Sequence, residues 1–292
     1  VETENGSEQY DRILIATGAR AFAPPVKGLE PEDAFLMRTV EDALRFKDRL
    51  KKNDIKHAVV IGASMAGIKV VEVLHKYGIE TWLLDLASYI FPLAAYKEVA
   101  KEIEKRVEAQ GVHLMFGVTI DHMEQENGEK TAVLTDGSRI PADIVGLCIG
   151  TRAITETVQG EVEIGRGIVV DDHMRTSVPG IYAAGDCCEG NNLESGQNQI
   201  IGLWANANHQ GETAGINMAG GDMAYKGNIL HNITHFMNMD FIGFGDNRMQ
   251  GEVLEYGSLS EDLYIRLVLD GKRIVGANIL DNYRVSGIVK NY

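Results

Sequence analysis

Three small residues, Gly62, Ser64 and Gly67, stand in the pattern GxSxxG inside HAVVIGASMAGIKVVEVL, residues 57–74. An apolar run precedes them and a helical pattern follows. A strand, turn and helix of this kind hold a nucleotide pyrophosphate through the backbone. The first glycine permits the tight turn, the middle position must be small because the backbone approaches the phosphates there, and the third lets helix and strand pack closely. The helix N-terminus offers free N–H groups and a positive dipole end to the anion. Ser64 is small enough for the middle position but narrows the approach. Ala63, Met65 and Ala66 complete the turn. The glycine pattern alone is weakly specific, and its context strengthens it. The next apolar run, TWLLD, ends on Asp85, 18 residues after Gly67, close to the spacing at which a carboxylate meets a ribose 2′-hydroxyl. A carboxylate there repels a 2′-phosphate, so NADH is expected in preference to NADPH. The competing reading is a nucleotide-free strand, turn and helix with Asp85 as a surface acid.

The elements around this turn follow from periodicity and punctuation. Val70, Val73, Leu74 and Tyr77 recur at helical spacing, and Gly78 stops the helix. Upstream, Thr39 and Asp42 stand as a capping box for the helix within FLMRTVEDALRFKDRLKK. Downstream, Tyr96, Val99, Ile103 and Val107 mark one face of a second helix that ends at Gly111. The opening residues predict a hairpin around Asn5-Gly6 leading into a buried strand, Ile13 to Ile15. Asn127-Gly128 and Asp136-Gly137 mark turns between short strands. ADIVGLCIG, residues 142–150, fits the centre of a parallel sheet. GIVVDDHMRTSVPGIYAAGD supplies two more strands, and LWANANHQGETAGINMAGG a helix ended by Gly220-Gly221. From about Asp222 strands dominate, as in a separate small domain.

At 292 residues the chain has room for roughly two domains of ~150 residues. A net charge of −14 disfavours nucleic acid or anionic membrane as a partner. No apolar run approaches the ~18–20 residues of a spanning helix. Cys148, Cys187 and Cys188 form no CxxC pair or disulfide framework, and a reducing cytoplasm is the simplest setting. His231 and His235 have the i, i+4 spacing of metal ligands on a helix. No partner Cys or HExxH supports that role, so they are read as structural and no metal site is expected.

Three further stretches accompany the turn: IATGA at 15–19, GLCIGTR at 146–152 and TSVPGIYAAGDCCEG at 176–190. With GASMAG, in this order and spacing, they resemble the FAD-dependent pyridine nucleotide–disulfide oxidoreductase superfamily, in particular its NADH oxidase, nitrite reductase and rubredoxin reductase branch. The resemblance covers nearly the whole chain. It implies an α/β flavoprotein fold with two dinucleotide-binding domains, the NADH domain inserted in a split FAD domain, plus a small α+β interface domain at the C-terminal end. The implied division is 1–38 for the end of the first FAD segment, 39–154 for the NADH domain, 155–221 for the second FAD segment and 222–292 for an interface domain that need not be complete. This insertion accounts for a nucleotide turn in mid-chain. No second glycine fingerprint is present. The resemblance therefore implies that the N-terminal half of the FAD site comes from missing sequence or from another chain.

The same resemblance assigns roles by position. Ala16, Thr17 and Gly18 would form the small turn beside the FAD phosphate and ribose, against the alternative of a plain strand end. Gly185 would let the chain approach FAD, and Asp186 would accept hydrogen bonds from the ribityl hydroxyls, against the alternative of a turn cap. Leu203, Trp204 and Ala205 would open a helix aimed at the flavin pyrimidine edge, Trp204 serving there or only in packing. Gly150 would face NAD from the neighbouring strand. Arg152 matches a family position, but Ala153 and Ile154 replace the Pro and Asn that commonly follow it. Lys69 stands where many relatives carry a Glu near the nicotinamide, and Glu72 lies one turn on and faces differently. Cys187 is read as buried packing. The implied activity is hydride transfer from NADH to FAD and electron delivery to a small molecule or small redox protein. No acid–base residue is assigned. The alternatives are a CoA-disulfide or persulfide reductase, an NADH-sensing redox protein without much turnover, and a bare NAD-binding fragment. A homodimer is implied if the interface domain is complete.

Overall fold

The computed structural model describes residues 1–158, 160–260, 263–282 and 285. Its contacts divide the chain into two units: Val1–Arg20 with Thr151–Leu230, and Ala21–Gly150 with His231–Tyr292.

The second unit is built on five parallel strands in the order Ala34–Phe35, Ile144–Leu147, His57–Ile61, Glu80–Asp85 and His113–Phe116. Ala58, Val59 and Val60 have no exposed surface. A strand buried on both faces needs such an unbroken apolar run. Three helices pack here: α1 (Val40–Leu50), α2 (Met65–Lys76) and α3 (Lys97–Glu108). The capping box of α1 is complete: Thr39 caps the Asp42 amide and Asp42 the Thr39 amide. In α3, Val99, Ile103 and Val107 are fully buried, as their spacing requires. In α2 the buried stripe runs through Gly67, Ile68, Val71 and Leu74, so Val73 and Tyr77 stand 36% and 49% exposed. The close approach at Gly67 decides which side of this helix meets the sheet.

A three-stranded antiparallel sheet follows, in which Asn127-Gly128 joins Ile120–Glu126 to Glu129–Leu134. Both turn residues have positive φ, 53° and 87°, the conformation a two-residue hairpin turn demands. A five-stranded antiparallel sheet runs His231–Phe236, Met239–Gly245, Arg273–Leu280, Leu263–Asp270, Glu252–Ser258. The expected boundaries at 38/39 and 221/222 differ from the observed division, because residues 21–38 and the sheet at 231–280 share contacts with the parallel sheet. Phe91 stacks on Phe241 at 5.3 Å and meets Phe236 edge-on at 5.4 Å. The end of the expected C-terminal segment, beyond 285, lies outside the described residues. His231 and His235 fall on a strand, not a helix. His235 Nδ1 lies 2.5 Å from Asp240, so its ring is engaged locally.

In the first unit, Ile13–Ile15 runs parallel to Ile181–Ala183, and α4 (Trp204–Met218) packs over the latter. Residues 168–175 make isolated bridges and not the second expected strand. The N-terminal hairpin pairs Thr3 with Gly6 and so turns at Glu4-Asn5, one residue early. The buried face of α4 is mostly polar: Asn206, Gln210, Thr213 and Asn217 join Ala214 there. Each is hydrogen-bonded, as burial requires. Asn217 donates to the carbonyls of His173 and Met223 and accepts from the Met223 amide.

One buried charge ties α2 to the antiparallel sheet of its unit. Glu72 accepts from Lys69 (2.5 Å), Lys76 (3.1 Å) and the Met237 amide (3.3 Å). Lys69 also donates to the His235 carbonyl at 2.7 Å. Burial opposes the charge on Glu72, but the two lysines and the amide outweigh it and hold the carboxyl below its usual range. Stability from this group is present above the ordinary carboxylate value of 4.5 and is lost as pH falls through the lower folded value. Glu72→Gln should cost about 1–3 kcal/mol at neutral pH, through poorly paired buried groups. In thermal melts, the gap between variant and parent should close as the pH is lowered below the carboxylate range.

Candidate functional site

The phosphate turn sits at the carboxyl end of the parallel sheet, where ligands of open α/β sheets bind. Its glycines are sterically required. A Cβ on Gly62 would lie 2.3 Å from the Cys148 carbonyl oxygen, and one on Gly67 would lie 1.9 Å from the Gly62 oxygen. Gly62 also has φ +103°, which only glycine adopts without strain. Ser64 is the N-cap of α2: its Oγ accepts from the Gly67 amide at 3.3 Å and donates to the Cys148 carbonyl at 3.1 Å. Met65 and Ala66 are then the first helical residues, whose amides have no intrahelical partner. A pyrophosphate fits this cradle by its backbone donors and by the absence of side-chain bulk.

Asp85 ends the neighbouring strand. Its Oδ2 accepts from the Ala63 amide at 2.7 Å and its Oδ1 from Ala87 at 2.8 Å. The Ala63 amide is therefore committed to Asp85 and withheld from phosphate. A carboxylate has about four acceptor directions, so Asp85 keeps capacity for ribose hydroxyls while its position is fixed. Gly150 lies just past the end of Ile144–Leu147 with φ +102° and open space where a Cβ would be. Behind the turn, the Phe91 amide donates to the Ala63 carbonyl at 2.9 Å. Phe91 has φ 55°, a conformation costing roughly 1–3 kcal/mol, and its ring is held between Phe236 and Phe241. Burial pushes the Cys148 thiol up to about 12, so its side chain is packing while its carbonyl anchors the turn.

In the other unit, Ala16, Thr17 and Gly18 follow one strand of the parallel pair, and Gly185 and Asp186 follow the other. Motifs far apart in sequence thus share one carboxyl edge. The Ala184 amide donates to the Ile15 carbonyl at 3.0 Å, and Thr17 Oγ1 to the Ile154 carbonyl at 2.6 Å. Gly18 and Gly185 have φ +72° and +85°. A Cβ on Gly185 would lie 3.5 Å from Ala207 Cβ, and one on Gly202 3.9 Å from Asp186 Oδ2. Asp186 therefore stands beside the start of α4, where Leu203 is an N-cap without a side-chain bond and Trp204 and Ala205 open the helix. Trp204 is 83% exposed, so it does not serve as packing among the described residues. The small turns, the Asp186 carboxylate and the helix start without a side-chain cap fit a flavin dinucleotide.

Sequence reasoning missed the residues that hold this edge. Gln210, with no exposed surface, accepts from the Gly185 amide at 2.9 Å and donates to the Glu189 carbonyl at 3.2 Å. Asn206 donates to the Ile201 carbonyl at 3.0 Å and accepts from the Tyr225 hydroxyl. The signal was a row of amide and hydroxyl side chains at helical spacing where an apolar stripe would ordinarily stand. Cys187 and Cys188 are buried, Cys187 Sγ lying against the carbonyls of Ile15 and Ala184. Lys69 is occupied by Glu72 and His235.

A family model described as pyridine nucleotide-disulphide oxidoreductase matches residues 1–211. An NADH oxidase from Methanocaldococcus jannaschii is 30% identical over 213 residues, covering 72% of this chain and 47% of that protein. The large subunit of a nitrite reductase (NADH) from Escherichia coli is 28% identical, covering 92% of this chain and 32% of that protein. Among solved structures, an NAD-dependent persulfide reductase from A. fulgidus matches with a TM-score of 0.86 at 26% identity, covering 97% of this chain and 56% of that one. The chain thus spans less than two thirds of the length of each of these relatives. Its fold is that of the flavoprotein oxidoreductases with two dinucleotide-binding domains.

The crowding at the turn gives a direct test. Gly67→Ala should destabilise the chain by about 3 kcal/mol in urea melts, the upper end for overpacking. Gly211→Ala in α4, where nothing lies within 4 Å, should instead stabilise by roughly 0.5–1 kcal/mol.

Proposed function

The chain belongs to the pyridine nucleotide-disulphide oxidoreductase family, and on that premise we propose that it is an NADH-dependent flavin oxidoreductase or a piece of one. The observation that carries this reading is the convergence of Ala16–Thr17–Gly18, Gly185–Asp186 and the start of α4 on one carboxyl edge. The comparisons support it, since relatives named for NADH oxidase, nitrite reductase and persulfide reductase activity share the fold or sequence.

In this reading Met65 and Ala66 donate their amides to the NADH pyrophosphate, and Ser64 keeps the helix end in register. Asp85 accepts from the ribose hydroxyls and disfavours a 2′-phosphate, so NADH is taken in preference to NADPH. FAD, when bound, would supply the hydride-accepting, two-electron chemistry that links NADH to an acceptor. Thr17 and Gly18 keep their turn narrow enough for close approach, Asp186 accepts from the ribityl hydroxyls, and the first-turn amides of α4 favour negative charge on the cofactor edge. We assign the acceptor to the class of small molecules and small redox proteins. All three thiols of the chain are buried.

The direct test is an anaerobic titration of the purified chain loaded with FAD and freed of excess flavin. Retained flavin that bleaches on addition of NADH is expected. Failure to retain flavin, or retention without bleaching, would contradict the proposal for this chain. The role of Asp85 is tested by Asp85→Ser. Loss of a charged hydrogen bond is worth about 1.5–3 kcal/mol, so the Kd for NADH should rise roughly tenfold or more, while that for NADPH holds or falls. Equal weakening of both nucleotides would reduce Asp85 to a brace for the turn.

A further inference from the structure

Phe91 is held in a backbone conformation that bulky side chains avoid. Its φ of 55° is a genuine outlier for such a residue. Among the described residues it is the only aromatic one with positive φ. An outlier of this kind persists only where the surrounding structure over-determines it, and here it does. The ring is buried between Phe241, at 5.3 Å, and Phe236, at 5.4 Å. Asn247 donates to the carbonyls of Pro92 and Ala95, at 3.0 and 2.8 Å, and Asn278 to that of Ala94, at 2.8 Å. On the other side, the Ile90 amide donates to Glu104 at 3.0 Å. All these residues belong to one unit.

The conformation delivers one hydrogen bond to the phosphate turn, from the Phe91 amide to the Ala63 carbonyl at 2.9 Å. The Ala63 amide is taken at the same time by Asp85 Oδ2, at 2.7 Å. Both backbone groups of Ala63 are thus committed to one segment, residues 85–91. The Ala63–Ser64 peptide is trans, so its N–H points away from its C=O. With the carbonyl drawn to Phe91, the Ser64 amide faces the opposite way. Among the described residues nothing accepts a hydrogen bond from it. The Ser64 side chain is engaged separately, with the Gly67 amide and the Cys148 carbonyl.

We propose that Phe91 is a positioning residue for the nucleotide: by holding the Ala63 carbonyl it aims the Ser64 amide at the NADH pyrophosphate, beside the amides of Met65 and Ala66. This rests on the reading of the turn as the NADH site. The seat between Phe236 and Phe241 then sets a phosphate donor through one strained residue, and the side chain of Phe91 itself touches no nucleotide.

The test compares NADH binding to Phe91→Gly and Phe91→Val. Glycine adopts a φ of this sign without strain and keeps the amide in place, although it leaves the larger cavity. Valine fills more of the space, but its β-branched side chain opposes positive φ. The Gly variant should bind NADH within about threefold of the parent, and the Val variant roughly tenfold more weakly, as for loss of one hydrogen bond to a charged group. In the Val variant NADH should no longer protect the Ser64 amide from hydrogen exchange, while Met65 and Ala66 stay protected. Phe241→Leu, a milder change that loosens the seat of the ring, should raise the Kd about threefold, in the range of one aromatic pair. Val107→Ala, which opens a cavity in the same core in the last turn of α3, should leave the Kd unchanged. A Val variant that binds NADH as well as the Gly variant would overturn the assignment. So would a parent in which NADH protects Met65 and Ala66 but not Ser64. A parent in which NADH protects none of the three would overturn the reading of the turn, and the assignment with it.

Discussion

The closest contact in the phosphate turn sets the terms for everything around it. The backbone of Gly67 rides directly on the Gly62 carbonyl, and Gly62 on that of Cys148. No side chain fits between them. That approach sets α2 close against the sheet and chooses the buried stripe of the helix. The neighbouring features then maintain the turn. Ser64 bridges helix and strand, Asp85 takes the Ala63 amide, and Phe91 holds the Ala63 carbonyl from behind.

The other unit reaches a comparable edge by different means. Its parallel pair is short, and α4 is fastened by amide side chains with few apolar ones. Gln210 grips the Gly185 turn and Asn206 the approach to the helix. Buried amides hold direction as well as distance, which suits the cofactor-presenting edge proposed above. The cost is sensitivity, since a buried amide that loses its partner is expensive to leave unsatisfied.

Much of this was legible in the sequence where local chemistry leaves few choices. The tight turn at Gly62 and the close approach at Gly67 were legible because a strand, turn and helix packed this closely leave room only for glycine there. Asn127-Gly128 was legible because a two-residue turn needs two positive φ angles, and Thr39 with Asp42 because the cap is local. Illegible features depended on partners distant in the chain. Val73 and Tyr77 have the spacing of a buried face, but Gly67 turns the helix away from them. His231 and His235 have helical spacing, but they extend into a sheet ordered by residues 239–280. Gln210 and Asn206 look like surface residues until Gly185 and Ile201 are placed against them. Lys69 bonds Glu72 and the His235 carbonyl, partners close in space that its local sequence does not announce.

In the proposed function the backbone of the turn, at Met65 and Ala66, receives the nucleotide pyrophosphate. The decisive measurement is amide hydrogen exchange followed residue by residue, with and without NADH. Strong protection of the Met65 and Ala66 amides on binding is expected, with the already bonded Ala63 amide little changed. Binding of NADH that leaves Met65 and Ala66 exchanging as before would contradict it.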